Sequence, residues 1–333
     1  MPKMVKIPIE KWEAVLLNYL SNYKIFAPLK KGIFTDYEFI TEKNFKNISY
    51  NSSKPVTPLK AFYFPIKENV VRDSGDETKR IVIGAPACDL KGLDILDKIF
   101  LDDDFLDPYY MKNREDTILI GTDCYNTDDS CHCHVFNINP FPTKNADIAL
   151  SSTENEMVLS VISEKGSKFL SEIMNSDFEE ISEIPSEIIH KRDQVKKKLS
   201  ERIIPNPEET RQGIYNSSEK IWRKFAETCV SCGACSAICP TCHCFLLIDK
   251  ANFEKIKNWD SCQYPAFERV AGGEDPLSKV HLRLKNRYLC KFIHKPDMIG
   301  LLACVGCGRC IDACIGKINK NEVITEICNQ PKY

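Results

Sequence analysis

The sequence predicts a mixed fold, in which an N-terminal α/β domain precedes an α-helical, cysteine-rich domain. Short apolar runs and an amphipathic helical segment fill the first half, and a charged, proline-containing stretch follows them. The last third lacks strand alternation and holds 13 of the 17 cysteines. Because 333 residues exceed one typical domain, we divide the chain into residues 1–180, a charged helical linker at 181–217 and a second domain at 218–333.

The N-terminal segment has the pattern of an amphipathic helix on a folded domain. Its apolar residues recur at helical spacing, at Trp12, Val15, Leu16, Tyr19 and Leu20. Glu10 and Glu13 interrupt this stretch, unlike the apolar core of a signal peptide. No run reaches the roughly 18 apolar residues that span a bilayer, and a net charge of −2 gives no reason to expect nucleic acid as a partner. We therefore expect a cytoplasmic protein without membrane insertion, in which clustered cysteines indicate metal binding.

The rest of the first half places cysteines where strands end. The predicted strands are Arg80–Gly84, Thr117–Gly121 and Asp147–Leu150. Asp89–Phe100 has the apolar spacing of a helix, so Cys88 lies in a strand-to-helix turn. Cys124 follows the next strand. Loops at strand ends are where α/β domains place functional groups.

The linker and the segment after it are predicted to be helical. The stretch at 181–217 is rich in charge and contains Pro205 and Pro207. Beyond it, helices are predicted for Ser218–Thr228, Cys262–Ala271 and Pro276–His294.

Two copies of one cysteine spacing dominate the C-terminal third. The pattern C-x2-C-x2-C-x3-C occurs at Cys229, Cys232, Cys235 and Cys239 and again at Cys304, Cys307, Cys310 and Cys314. Three thiolates at this spacing face one iron–sulfur cubane, and the fourth reaches the other cubane of a two-cluster protein. We therefore assign Cys229, Cys232, Cys235 and Cys314 to one [4Fe–4S] cluster and Cys304, Cys307, Cys310 and Cys239 to another. Zinc sites use pairs of close cysteines, so the third and fourth cysteines of such a run would have no role as zinc ligands.

Details around the two runs refine this prediction. Gly233, Gly306 and Gly308 suit a backbone crowded around a cubane, because glycine has no Cβ. Pro240 follows the first run, whereas Ile315 follows the second. The 64 residues between Cys239 and Cys304 are too many for a compact ferredoxin hairpin, and they favour an α-helical ferredoxin-like domain.

Four N-terminal cysteines form a further candidate site. Cys88, Cys124, Cys131 and Cys133 all follow predicted strands and are expected to converge. Four thiolates suit a third [4Fe–4S] cluster or a tetrahedral zinc ion, and packing without metal is the remaining alternative. His132 and His134 alternate with two of these cysteines, as ligands or as supporting hydrogen-bond donors.

Five other cysteines are less informative. Cys242, Cys244 and Cys262 lie near the first run, where they would bind a further metal, tune a cluster through hydrogen bonds or pack as buried thiols. Cys290 and Cys328 are isolated, and packing is the interpretation we adopt for both. The chain contains no dinucleotide or phosphate-loop glycine motif and no HExxH, so neither NAD(P)H binding nor hydrolysis by this chain is expected, and no catalytic residue is assigned.

The order of these motifs resembles a known family of electron-transfer proteins. The motifs are PACDL, DPYY, CHC, CPTCHCF, WDSC and CVGCGRC, and together they span residues 80–330. They resemble the iron–sulfur family that comprises the A subunit of anaerobic sulfite reductase and the β subunit of cytoplasmic sulfhydrogenase. The resemblance implies cluster ligation by the eight cysteines of the two runs, and by Cys88, Cys124, Cys131 and Cys133 at the N-terminal site.

The resemblance also implies a function and partners. Members of this family relay single electrons from an FAD-containing, NAD(P)H-oxidising or ferredoxin-linked subunit to a catalytic reductase or hydrogenase subunit. The sulfite reductase type is our first hypothesis, and a sulfhydrogenase β-type subunit is the second. The same module in a methylenetetrahydrofolate reductase or formate dehydrogenase complex, a self-sufficient metalloenzyme using the N-terminal site, and a zinc-stabilised assembly protein are further alternatives.

Overall fold

The structure is a computed structural model that describes residues 4–71 and 78–330. Within these residues the strands are β1 (Met4–Pro8), β2 (Lys24–Lys31), β3 (Phe34–Phe39), β4 (Lys67–Asn69), β5 (Arg80–Ala85), β6 (Thr117–Thr122), β7 (Ile148–Ser152), β8 (Glu156–Val161), β9 (Glu179–Glu180), β10 (Phe245–Lys250) and β11 (Glu254–Trp259).

The α-helices are α1 (Ile9–Tyr19), α2 (Ala87–Phe100), α3 (Pro108–Glu115), α4 (Glu164–Ile173), α5 (Ser186–Ser200), α6 (Pro207–Asn216), α7 (Glu219–Ala226), α8 (Ala234–Ala237), α9 (Val280–Leu289), α10 (Lys295–Ile299), α11 (Arg309–Asp312) and α12 (Lys320–Cys328). Short 3₁₀ helices occur at Phe45–Asn47, Leu59–Phe62, Cys133–Phe136 and Ala251–Phe253, and one π-helical turn at Cys290–His294. In the part of the chain that the structure describes, no helix is long and apolar enough to cross a membrane.

A large mixed sheet organises the N-terminal half. Its strand order is β3-β2-β5-β6-β7-β8-β1-β9. The central strands β2, β5, β6 and β7 are parallel, and the strands at both edges pair antiparallel. The predicted strands at residues 80–84, 117–121 and 147–150 and the predicted helix at residues 89–100 are confirmed as β5, β6, β7 and α2. The mixed α/β class predicted from the sequence is therefore correct.

Each face of this sheet carries helices over its own apolar core. Ile81, Ile83 and Ile120 belong to the core that also contains residues of α1 and α4. Val82 and Leu119, which alternate with them along the same strands, belong to the opposite core with α2 and α3. Because successive side chains of a strand point to opposite faces, an uninterrupted apolar strand needs helices on both sides. The carboxyl ends of β5 and β6 lead directly to Cys88 and Cys124.

A third core packs helices around the two cysteine runs. It joins side chains of α6, α7, α9 and α12, including Ile214, Trp222, Tyr288 and Ile324. The Trp222 indole donates a hydrogen bond to Ser217 Oγ at 2.8 Å, so its polar atom is satisfied inside the core. The predicted helices at residues 218–228 and 276–294 correspond to α7 and to α9 with the π turn.

The segment at 181–217 folds into two packed helices. In α5, Ile188, Val195 and Leu199 are buried. α6 begins with a capping box in which Asn206 and Glu209 exchange side-chain-to-backbone hydrogen bonds. Gly213 of α6 lies so close to α12 that an added Cβ would lie 3.0 Å from Cys328 Sγ.

Two sequence predictions for the insert between the runs are wrong. Cys262–Ala271 forms turns rather than a helix. The insert also contains the antiparallel hairpin of β10 and β11, which the sequence did not predict. β11 pairs further with β4 from the N-terminal half, with Ile256 opposite Asn69. The cysteine-rich part is therefore not purely helical, and it shares a small sheet with the N-terminal part.

Candidate metal centres

Three cysteines of the first run and two of the second surround a single cavity. Its lining includes Cys229, Cys232, Cys235, Cys310 and Cys314. α8 starts immediately after Gly233, whose φ of 73° belongs to the left-handed region. A Cβ at Gly233 would lie 2.5 Å from the Tyr264 ring, so glycine is required there for space as well as for backbone conformation. The structure brings together the four cysteines that the sequence assigned to one cluster.

The second run repeats this local structure. Gly308, with φ of 76°, precedes α11 as Gly233 precedes α8. A Cβ at Gly306 would lie 2.5 Å from the carbonyl oxygen of His132, and one at Gly308 would collide with Ser130 Oγ. The glycines of the second run are therefore crowded by the N-terminal cysteine loop.

Cys239, the last cysteine of the first run, lies with the second run. The Lys291 ammonium donates to Cys239 Sγ at 3.3 Å and to the Ala303 carbonyl, next to Cys304, at 2.9 Å. Burial raises the pKa of the Cys307 thiol to about 12, and nearby Arg309 opposes this effect. This placement fits the exchange of fourth cysteines that the sequence predicts for a two-cluster protein.

The four N-terminal cysteines line a separate cavity. Cys88, Cys124, Cys131 and Cys133 surround it, together with Gly306 and Cys307 of the second run. Cys88 is the second residue of α2, just after β5. Cys124 follows β6, and its N–H donates to the Pro140 carbonyl at 2.7 Å. Burial raises the pKa of the Cys88 and Cys124 thiols well above their ordinary value. A bound cation would reverse that preference, because coordination deprotonates a thiol.

His132 is held by protein on both ring nitrogens. Nδ1 lies 2.8 Å from the Ser130 carbonyl, and Nε2 lies 2.7 Å from Lys320 Nζ. Burial first, and then the Lys320 charge, lower the pKa of His132 well below its ordinary value. A neutral ring that donates from Nδ1 and accepts at Nε2 satisfies both contacts, so His132 supports the loop and has no free nitrogen for a metal. His134 Nε2 bonds to the Arg202 carbonyl at 3.1 Å.

Three buried lysines that the sequence reasoning missed contact the cysteine sulfurs. Lys54 Nζ lies 3.4 Å from Cys131 Sγ, Lys291 Nζ 3.3 Å from Cys239 Sγ and Lys320 Nζ 3.3 Å from Cys304 Sγ. All three side chains are buried. Lysine is rarely buried unless paired. Lys54 also pairs with Asp128 and Asp312, at 2.6 and 3.1 Å. No sequence pattern marks these residues.

The remaining cysteines separate into two groups. Cys242, Cys244 and Cys262 line a third cavity, and Cys290, which we interpreted as a packing residue, lines it too. Cys328 packs away from all of these sites, with its Sγ 3.4 Å from the Glu209 carbonyl. Among the described residues, no three His, Cys, Asp or Glu side chains are close enough to hold one metal ion.

A buried ion pair fixes the second run to the N-terminal half. Arg309 of α11 and Asp89 of α2 form a two-pronged pair and are both about 1% exposed. Arg309 Nε also donates to the Pro55 carbonyl at 2.8 Å, and Asp89 Oδ2 accepts from the Leu59 N–H at 3.0 Å. Both members of the pair thus make hydrogen bonds beyond the pair itself, which help to offset the cost of removing the two charges from water.

Comparisons with known proteins identify an iron–sulfur domain in the C-terminal part of the chain. Residues 228–318 match the family described as 4Fe-4S dicluster domain. The chain is 27% identical over 321 residues to sulfhydrogenase 2 subunit beta of Pyrococcus furiosus, and the match covers 91% of this chain and 92% of that relative. The match to the dicluster family includes both cysteine runs and the hairpin between them. Together, the matched domain and the similarity along most of the chain support the iron–sulfur subunit family to which its motifs point.

Proposed function

We propose that this chain is the electron-relay subunit of a multi-subunit oxidoreductase and that its clusters lie in series. The observation that carries this proposal is the direct contact between the N-terminal cysteine loop and the second run. The His132 N–H donates to the Gly306 carbonyl at 2.8 Å, and Cys307 lines the N-terminal cavity. Cys310 of the same run lines the first-run cavity.

The proposed ligands form three sets of four. They are Cys229, Cys232, Cys235 and Cys314; Cys304, Cys307, Cys310 and Cys239; and Cys88, Cys124, Cys131 and Cys133. When bound, a [4Fe–4S] cluster supplies a one-electron centre whose potential responds to charge, hydrogen bonds and solvent exposure. The chain's own contribution is to fix the sulfurs, to place Lys54, Lys291 and Lys320 against them and to exclude water with buried apolar residues.

Our proposal for the partners is based on the similar sulfhydrogenase subunit and on the sequence motifs. A sulfhydrogenase subunit beta as relative favours a catalytic hydrogenase subunit on one side of the relay. We propose an FAD-containing, NAD(P)H-oxidising or ferredoxin-linked subunit on the other side. The anaerobic sulfite reductase type is the second candidate, because the motifs PACDL, CPTCHCF and WDSC resemble both types of subunit.

The ligand sets are tested on the full chain purified without oxygen. Iron and acid-labile sulfide per chain are compared between the wild type and the variants Cys229→Ala, Cys304→Ala and Cys88→Ala. Each variant is expected to lose about four irons, since each removes one ligand of a different cluster. Cys328→Ala is the matched control and should lose none. Unchanged iron in Cys88→Ala would exclude the N-terminal cluster, and unchanged iron in the other two would exclude the relay itself.

The type of complex is tested on the assembly that co-purifies with the tagged chain. In the sulfhydrogenase type, hydrogen gas bleaches the visible absorbance of the assembly. In the sulfite reductase type, hydrogen has no effect, and sulfite restores the absorbance of the assembly after its reduction by NAD(P)H.

A further inference from the structure

We propose that Cys242, Cys244, Cys262 and Cys290 hold a fourth [4Fe–4S] cluster. This inference goes beyond the three sets above, although it rests on the proposal that the chain is an iron–sulfur relay. The four cysteines line one cavity of about 230 Å³. They come from three separate segments: the loop after the first run, the turn after β11 and the end of α9.

The hairpin brings two of the four together. Phe245 pairs with Trp259 at the open end of β10 and β11, and one step further the Asp260 N–H donates to the Cys244 carbonyl at 2.9 Å. Cys262 follows two residues after Asp260. The backbone pairing of β10 with β11 thus fixes the distance between the segments that carry Cys244 and Cys262. It explains why both residues line the same cavity although the hairpin separates them in sequence.

Cys290 reaches the same cavity through an unusual helical turn. α9 passes at Cys290 into the π-helical turn Cys290–His294, and α10 continues from it. π turns are rare and frequently occur at functional sites, because the extra residue changes which side chains face one side of a helix. Here Cys290, Lys291, His294 and Lys295 all line the cavity.

The surroundings suit an anionic group. Arg287, Lys291 and Lys295 line the cavity, and the Arg287 guanidinium lies 3.7 Å from Cys242 Sγ. Lys60 is buried beside it, with Nζ donating to the Cys242 carbonyl at 2.9 Å. Four thiolates around a cubane carry net negative charge, and buried cations offset such a charge. An apolar thiol cluster that served only for packing would need none of these cations.

The arrangement favours a cluster over zinc. A tetrahedral zinc ion needs four sulfurs each about 2.3 Å from one point. Within the described chain, no three such donors approach one another that closely, at this cavity or at the two runs that match the dicluster family. A [4Fe–4S] cluster instead takes one thiolate on each of its four irons, so its four ligands lie farther apart than those of a single zinc ion.

The position of the cavity would extend the relay. Arg287 lines both this cavity and the first-run cavity, and its Nη2 donates to the Cys235 carbonyl at 2.8 Å. Cys242 lies three residues after Cys239, the fourth cysteine of the first run. A cluster here would therefore lie next to both ferredoxin-like clusters.

The test compares iron and sulfide per chain in Cys262→Ala, Cys290→Ala and the wild type, all as full chains reconstituted and purified without oxygen. We expect each variant to lose about four of about sixteen irons per chain. Cys328→Ala is the matched control and should keep all of them. An iron content per chain equal to that of the wild type in both variants would overturn the proposal. Zinc bound in place of the lost iron would overturn it as well.

Labelling of the wild type covers the case in which a variant misfolds. Native protein is treated with N-ethylmaleimide before and after iron is removed with an oxidant and chelator, and each cysteine is identified by mass spectrometry. Cys262 and Cys290 should label only after iron removal, whereas labelling of both in the native protein would overturn the proposal. An intact Cys262–Cys290 disulfide in the oxygen-free protein would overturn it as well. Since Cys229→Ala tests the relay separately, failure of the fourth site is distinguishable from failure of the proposed function.

Discussion

At the scale of single residues, the recurring feature is a buried lysine against a cysteine sulfur. Lys54, Lys291 and Lys320 each contact one cysteine of a proposed ligand set. The eight cysteines of the runs could be predicted because their spacing is set by the cubane. The lysines could not be predicted, because each contacts its cysteine sulfur only through tertiary packing. Lys291 and Cys239, for example, are 52 residues apart in the sequence.

The charge of Lys291 should raise the potential of the second-run cluster. Lys291→Met keeps most of the side-chain volume and removes a charge 3.3 Å from Cys239 Sγ. We expect the midpoint potential of one cluster to fall by on the order of 100 mV, since nearby positive charge stabilises the more negative, reduced form. Redox titration followed by EPR measures this shift. Lys224→Met, which removes an exposed partner of Glu326, is the control, and equal potentials in all three proteins would show that Lys291 does not tune the cluster.

The Asp89–Arg309 pair should contribute strongly to the stability of the fold. Asp89→Asn leaves the Arg309 charge buried without its partner. We expect the free energy of unfolding to fall by about 3–5 kcal/mol, as measured by denaturant unfolding without oxygen. Asp297→Asn breaks an exposed pair with Arg211 and should leave the free energy of unfolding almost unchanged. A similar cost for both variants would contradict this account.

At the scale of elements, the strands and helices of the large sheet were predictable, whereas the β10–β11 hairpin was not. β5 and β6 are continuous apolar runs that suit burial on both faces. β10 is exposed along its whole length, so its residues show no alternation between a core and solvent. Its turn uses Asn252 and Phe253 at positive φ, without the Asn-Gly or Asp-Gly pair that signals a hairpin.

The contact between the second run and the N-terminal cysteine loop can be tested through one glycine. Gly306→Ala adds a Cβ that would lie 2.5 Å from the His132 carbonyl oxygen, at a φ of 64°. Gly300→Ala is the matched control, because its φ is 71° but nothing lies within 4 Å of the new Cβ. We expect Gly300→Ala to cost about 1 kcal/mol for backbone conformation and Gly306→Ala about 1–3 kcal/mol more for the collision.

Iron content separates a local effect from general destabilisation. In Gly306→Ala the displaced loop carries Cys131 and Cys133. We therefore expect this variant to lose about four irons per chain in addition to its lower free energy of unfolding. Gly300→Ala should keep its iron. Equal stability and equal iron in the two variants would mean that the loop does not pack on the second run.

At the scale of the whole molecule, the cysteine-rich half is built into the N-terminal half. Asp89 and Arg309 pair across 220 residues, and β11 completes a sheet with β4. The sequence indicated a helical linker at 181–217, and its local pattern was sufficient for the helices themselves. Where those helices dock depends on long-range packing, which no local pattern encodes, and the structure attaches α6 to α12 through Gly213 and Ile214.

This docking predicts where the C-terminal part can be cut. A fragment of residues 203–333 keeps α6, whereas one of residues 218–333 removes Ile214, which is 0% exposed, and uncovers the apolar face of α12. Burial of a side chain of this size contributes about 1.5–3 kcal/mol, so the shorter fragment should unfold at clearly lower denaturant concentration and retain less iron. Circular dichroism and iron analysis of the two fragments, prepared together without oxygen, measure the difference. If both fragments were equally stable, α6 would be only a connecting segment, and the domain division at residue 218 would be correct. The packing of α6 on α12 predicts instead that the iron-binding unit begins before Pro207.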